Sequence, residues 1–425
     1  MNHVVIQKLR GRWATAVGLI FFQVLGLAIP LLVLPLLSRA LGTGGFGQLM
    51  LAQAVVLLAV LWVDAAFNVQ SQREASADIA QEKKIPQALL DNLIVRIGAA
   101  LLAIVFLLCL PLFLHSLSYS LLLASCPLLV GTLIFPQWWL LATGRGLLMG
   151  VATVLGRIGS ALLVWLYVDS AADTVVAALA ISVGSLLSGF ILIPIWLGSL
   201  IRARSLLSWT HWHGYARTIR PTLLSAFFAS ACAQLPIVAL GTWAGAIQTG
   251  LFSAADRLTR AGAHVLTLVE QSLLTQWLQP IATNKERLNK MRSTILLYLS
   301  VGLVFGVCVA WFLAPWIIHF LYSDSFLLAV DILRVLLVWL FLQAMRRAVV
   351  SAYWIVEHEI KAQAKIQWLE TFLYLSLLVL GALFIGRFPT MSWGLWMAFS
   401  LCLIEVILLL AFRFASNWTK QINTI

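Results

Sequence analysis

Apolar runs dominate this chain, and its polar positions fall between them at nearly regular intervals. A helix rises about 1.5 Å per residue and the hydrocarbon core of a bilayer is about 30 Å thick, so an apolar run of roughly 20 residues crosses it as a helix. That length test predicts twelve spans, at roughly 14–38, 46–67, 88–113, 118–141, 147–168, 174–198, 218–242, 248–278, 294–320, 326–350, 364–386 and 392–413. Little chain remains between them. The longest connections, "NVQSQREASADIAQEKKIPQ" and "GSLIRARSLLSWTHWHGYAR", have about 20 residues, too few for a soluble domain. Lys8, Arg10 and Arg12 precede the first run, but that run is too long for a signal-peptide core and reads as a retained first helix.

Composition agrees with this pattern. Of 425 residues 62% are hydrophobic and 10% charged, with a mean hydropathy of +0.97, which excludes the water-soluble classes. The expected fold is all-α and polytopic, with about 12 transmembrane helices. A basic segment divides the spans six and six, into an N-terminal lobe at 1–200, a cytoplasmic linker at 201–217 and a C-terminal lobe at 218–425. The halves echo one another: Ala40-Leu41-Gly42-Thr43 matches Ala239-Leu240-Gly241-Thr242. With a four-residue insertion, Gly47 then falls on Gly250 and Gln53 on Asp256. An even number of spans separates the copies, so the lobes share one orientation and predict a substrate path between them.

The net charge of +12 acquires meaning from its distribution. Connections on the side of the N-terminus hold 21 of the 28 Lys and Arg, and the opposite side holds only Arg39 and Arg387. By the positive-inside rule both termini are cytoplasmic. The five cysteines stand singly in apolar spans and read as small core residues. Tryptophans near span ends, among them Trp62, Trp138, Trp139, Trp196, Trp243 and Trp316, read as an interfacial belt.

The remaining cations, Arg96, Arg157, Arg257, Arg260 and Arg334, lie inside the predicted spans. Facing lipid at mid-depth, each would cost about 2.5–3.5 kcal/mol, so they must face protein or water. In "SAADRLTRAGAH", residues Asp256, Arg260, His264 and Thr267 recur at helical spacing and form one polar stripe. Asp256 and Arg260, at i and i+4, neutralise each other, whereas Arg257 and Arg157 add positive charge. Guanidinium binds phosphate oxygens in pairs, so a polyanionic head group such as a pyrophosphate suits this surplus. Candidate cargo-binding residues are Arg257, Arg260, Asp256, His264, Gln53, Gln234 and Arg157. Glu270 and Asp256 are candidates for ion coupling, and Glu370 and Glu405 are further intramembrane acids. Asp64 is read as a cap or a partner for Arg73. No phosphate-binding loop occurs, which excludes ATP as the direct energy source, and no cofactor or metal is expected beyond a coupling H+ or Na+.

Three stretches carry a family resemblance: "PLLVLPLLSRALGTGGFGQLMLA" at the first two spans, "FPQWWLLATGR" at the end of the fourth and "GLFSAADRLTR" opening the eighth. Together with the span count they make the chain resemble the polysaccharide-export branch, including the O-antigen flippases, of the multidrug/oligosaccharidyl-lipid/polysaccharide (MOP) exporter superfamily. The resemblance implies two six-helix lobes of the MATE type, alternating access and no catalysis. The implied cargo is an undecaprenyl-pyrophosphate-linked oligosaccharide, such as an O-antigen repeat unit, crossing a bacterial inner membrane. It further implies a monomeric transport unit that hands its product to a polysaccharide polymerase and chain-length regulator. Two alternatives stand beside it. A drug/cation antiporter of the same superfamily would share the fold but favour an acidic cavity. A membrane glycosyl-polymerase or ligase would need a large outer loop, whereas the outer connections here have roughly 6–10 residues.

Overall fold

A computed structural model describes residues 2–80, 86–114, 116–202, 233–278, 285–350, 369–370, 372–377, 379–381 and 392–422. Side chains at 2–17, 19–20, 23, 65–91, 113, 199–202, 268–278, 285–292 and 411–422 lie outside that description. The described structure is helical: α1 (Asn2–Ala80), α2 (Pro86–Phe113), α3 (Tyr119–Ser125), α4 (Pro127–Ile134), α5 (Gln137–Ala142), α6 (Gly146–Tyr167), α7 (Thr174–Arg202), α8 (Ala246–Leu278), α9 (Lys285–Leu321), α10 (Ala329–Val349) and α11 (Trp393–Ile422). The helices group into two compact units, Met1–Thr242 and Trp243–Ile425. The predicted linker 201–217 lies almost wholly outside the described residues.

Among the described residues seven helices are long and apolar enough to cross a membrane. One of them, Val24–Asp64, has 41 residues and covers most of the first two predicted spans. They meet at Gly42, whose φ of 64° and ψ of −176° break the helix. Positive φ is strained for any residue with a Cβ, which is why glycine stands at this corner. α8 is long enough to span but carries Asp256, Arg257 and Arg260 within its apolar stretch. The large apolar side chains left exposed, such as Leu101, Leu102 and Val105 on α2 or Leu162, Trp165 and Leu166 on α6, would be intolerable in water. The chain is a multi-pass membrane protein.

Four details depart from the sequence pattern. The predicted span 118–141 is three short helices, broken at Pro127 and Pro136, where proline lacks the N–H a continuous helix needs. α1 runs on to Ala80, through residues expected to be a connection. Trp138, Trp139 and Trp196 are core, at 1%, 4% and 8% exposure, and Trp138 Nε1 donates to Asn92 Oδ1 at 3.0 Å. Trp243 and Trp316 are exposed as expected. Finally Cys109 and Cys308 are exposed rather than in the core.

In the first unit, Leu51, Val55, Ala59 and Val63 of α1 pack with Ala100, Ala103 and Leu107 of α2 and Leu129 of α4. α6 and α7 approach closely because small residues face each other: a Cβ on Gly184 would lie 2.7 Å from the Ser160 Cβ and 2.8 Å from the Gly156 carbonyl oxygen. In lipid, where apolar association gains nothing from expelling water, such backbone proximity supplies the van der Waals attraction. Helical residues 233–243 include Val238, which packs on the first unit's core. In the second unit α10 lies among α8, α9 and α11, with Leu333, Leu336 and Leu340 buried.

Candidate functional site

Of the polar stripe predicted on α8, Asp256 is buried, Arg260 and Thr267 are half-buried and His264 is exposed. Gly245, with φ 85°, turns the chain into the helix. Thr249, Ser253, Asp256 and Thr259 follow on its buried side, each exposed by 1% or less. Asp256 Oδ2 accepts a hydrogen bond from Arg260 Nε at 2.6 Å, the i, i+4 pair expected from spacing. The Arg260 guanidinium also lies 5.9 Å from the Trp339 ring centroid on α10, a cation–π arrangement. Arg257 is within Coulombic reach of Asp256 and Tyr322, and the Tyr322 hydroxyl donates to the Ala254 carbonyl at 3.0 Å. Ser253 Oγ and Asp256 Oδ1 are buried with no hydrogen-bond partner among the described residues. A buried carboxylate oxygen of this kind is an acceptor for a donor the described side chains do not supply.

Asp256, Arg257, Arg260 and His264 thus share one helix of the second unit, with His264 on its exposed side. Gln53 is buried on α1, Gln234 is half-buried in the 233–243 helix and Arg157 is half-buried on α6, all in the first unit. Arg157 presses against α1 at Gly26, where a Cβ would lie 3.1 Å from its Nη1. The Glu270 side chain lies outside the described residues.

The other intramembrane charges serve packing. Arg96, 1% exposed, donates to the Val63 carbonyl (3.1 Å), the Thr132 carbonyl (2.6 Å) and Asp64 (3.0 Å), tying three helices together. Asp64 thus pairs with Arg96, while the side chain of Arg73, its expected partner, lies outside the described residues. Arg334 reaches Asp331 at 3.5 Å and lies 5.8 Å from the Trp311 ring centroid. Glu370 and Glu405 both bind Arg346, at 3.3 and 2.5 Å, joining α10 to α11 and to the helical turn at 369–370. Arg346 is one of the 21 cations that the charge distribution assigns to connections on the side of the N-terminus, yet it is 8% exposed. Arg347 is another of them, missed in the same way: its Nη1 donates to Thr267 Oγ1 at 3.1 Å and so brings a further cation to α8. The signal was present in Thr267, already on the predicted stripe, but the partner lies 80 residues away.

The α8 cluster holds Asp256, Arg257 and Arg260, and Arg347 of α10 reaches the same helix at Thr267. It can present guanidinium groups to an anionic ligand and offer Asp256 to a proton or cation. Among the described residues no group of three or more His, Cys, Asp and Glu could hold a metal ion.

A sequence model of the family described as "Polysaccharide biosynthesis protein" matches residues 13–274, which include most of the first unit and Asp256, Arg257 and Arg260 of α8. A candidate O-antigen transporter of Escherichia coli (strain K12) is 22% identical over 280 residues, 64% of this chain; the match spans 65% of that relative's length, just under two thirds. A second, from Shigella dysenteriae, is 25% identical over 303 residues, covering 66% of this chain and 69% of the relative. Among solved structures, an inward-facing multidrug resistance MATE family transporter of the MOP superfamily superposes with a TM-score of 0.74 at 14% identity, over 94% of this chain and 96% of that one. The lipid II flippase MurJ in an inward closed conformation gives 0.71 at 15% identity, over 94% and 87%. The fold is that of the MOP superfamily.

Proposed function

The chain belongs to the polysaccharide biosynthesis protein family, and from that premise we propose that it is a flippase for an undecaprenyl-pyrophosphate-linked oligosaccharide in a bacterial cytoplasmic membrane. The observation that carries this reading is the cationic cluster on α8. Arg257 and Arg260 lie about 18 and 22 Å along the helix from its start at Gly245, well inside the bilayer. Charge at that depth needs a use, and a pyrophosphate with its attached sugars supplies oxygen ligands that guanidinium groups hold in pairs. The names of the E. coli and Shigella relatives point to the same cargo class, and that of MurJ to a lipid-linked one. Asp256, with its second oxygen unclaimed by the described side chains, is the coupling group in this reading, exchanging a proton or cation as cargo arrives and leaves. The work is transport rather than bond-making, alternating between access to the two membrane faces.

The test is the sidedness of lipid-linked oligosaccharide in a strain lacking the protein, complemented with wild type, Arg257→Ala or Arg260→Ala. Accessibility to an outer-face glycan probe is the readout. Inner-leaflet accumulation in the null and in the Arg257 variant, at unchanged protein level, is the expected result. A null strain that exposes as much glycan as wild type refutes the cargo and favours the drug/cation antiporter, which the likeness to a MATE transporter accommodates.

A further inference from the structure

α9 stands off from the second unit over much of its length. Between Ser293 and Leu321 only Leu303, Ala314 and Ile318 are buried, two of them near the end where Tyr322 anchors the helix to α8. A groove of about 630 Å³ opens between α8, α9 and α10. That volume lies within the range of about 300–1,000 Å³ typical of ligand pockets. Its walls are hydrocarbon and bare backbone. Gly262 on α8 and Gly302 and Gly306 on α9 line it, and a Cβ at either α9 glycine would meet nothing within 4 Å. Only Thr259 and Tyr298 among the lining residues bear polar side-chain atoms, and the Thr259 hydroxyl is engaged by the Ala255 carbonyl at 2.9 Å. A slot so lined does not hold water.

We propose that this groove receives the polyisoprenoid tail of the cargo while Arg257 and Arg260 hold its head group, an inference that rests on the flippase reading above. Thr259 and Gly262 flank Arg260 on α8, so head site and groove lie within one helical turn, about 5 Å of axial rise. Leu340, a wall of the groove, follows the Trp339 on which Arg260 rests. Depth selects the occupant. A bulk phospholipid keeps its head at the interface, whereas a lipid whose charged head is bound at mid-span needs a hydrocarbon slot beginning at that level.

The experiment uses the full-length protein in nanodiscs of phosphatidylethanolamine and phosphatidylglycerol, labelled with a polyprenyl pyrophosphate carrying a photoreactive diazirine in its tail. Labelled peptides are mapped by mass spectrometry. Labels are expected on the groove-lining stretches of α8, α9 and α10. Gly302→Leu and Gly306→Leu, each extending into open space, should lower that labelling about tenfold, the loss expected when roughly two methylenes are denied burial. Gly98→Leu on α2, equally unhindered but outside the groove, should leave it unchanged. Labels spread evenly over the lipid faces of α2 and α6, competition by phosphatidylglycerol as effective as that by unlabelled polyprenyl phosphate, or full labelling of both α9 variants with unchanged thermal midpoints overturns the proposal. If the sidedness assay still shows Arg257-dependent translocation, the tail site alone falls. A null strain with normal outer glycan fells both.

Discussion

Arg96 and Arg346 each hold together helices far apart in sequence, and each is almost wholly removed from solvent. Removing one member of a buried pair strands the other, at a cost of about 3–5 kcal/mol. Arg96→Met should therefore lower the thermal unfolding midpoint markedly, since it abandons two carbonyls as well as Asp64; Asp64→Asn, at a position 27% exposed, should lower it less. Arg346→Met should likewise destabilise, and adding Glu405→Gln should recover part of the loss, measured by fluorescence-monitored melting in detergent. In the sequence Arg96 is of the same kind as Arg257, a cation inside an apolar run. What separates them is the set of acceptors brought to them by folding.

At the scale of elements the two glycine corners make the sharpest prediction. Gly42 and Gly245, both with positive φ, are 203 positions apart, as are Gly47 and Gly250, and Gln53 and Asp256. The four-residue insertion inferred from sequence thus sets the corners of the two halves in register, even though the matching "ALGT" letters place Gly241 opposite Gly42. Alanine at either corner should cost about 1–2 kcal/mol, read as a lower melting midpoint, while alanine at Gly44, which has open space and no positive φ, should be nearly neutral. The spans were legible because length and hydropathy are local properties. The fragmentation of 118–141 at Pro127 and Pro136 was legible in principle but was outvoted by a continuous apolar run. The burial of Trp138, Trp139 and Trp196 was not legible: a tryptophan near a span end is interfacial or core depending on which neighbours arrive, here including Asn92.

For the whole molecule the charge distribution predicts an orientation that can be measured directly. Single cysteines introduced in the 203–217 and 279–284 stretches should react with a membrane-impermeant maleimide only after the cytoplasmic side is opened, whereas one at Asp169, in the connection that follows α6, should react in intact cells. The Ser170–Asp173 capping box gives that connection a fixed shape, with Asp173 Oδ2 accepting from the Ser170 N–H at 2.9 Å.

The stand-off of α9 has a mechanical corollary. Its apolar stretch Ser293–Leu321 has 29 residues, about 43 Å of helix against a hydrocarbon core of about 30 Å. With so few protein neighbours to set its inclination, the surplus length is accommodated by tilt, and hydrophobic mismatch with the surrounding lipid becomes the force that sets it. Bilayer thickness should then act as an adjustable variable: in proteoliposomes of graded acyl-chain length, a spin-label pair across α9 and α10 should report a monotonic change in separation, while a pair across the tightly packed α6 and α7 stays constant.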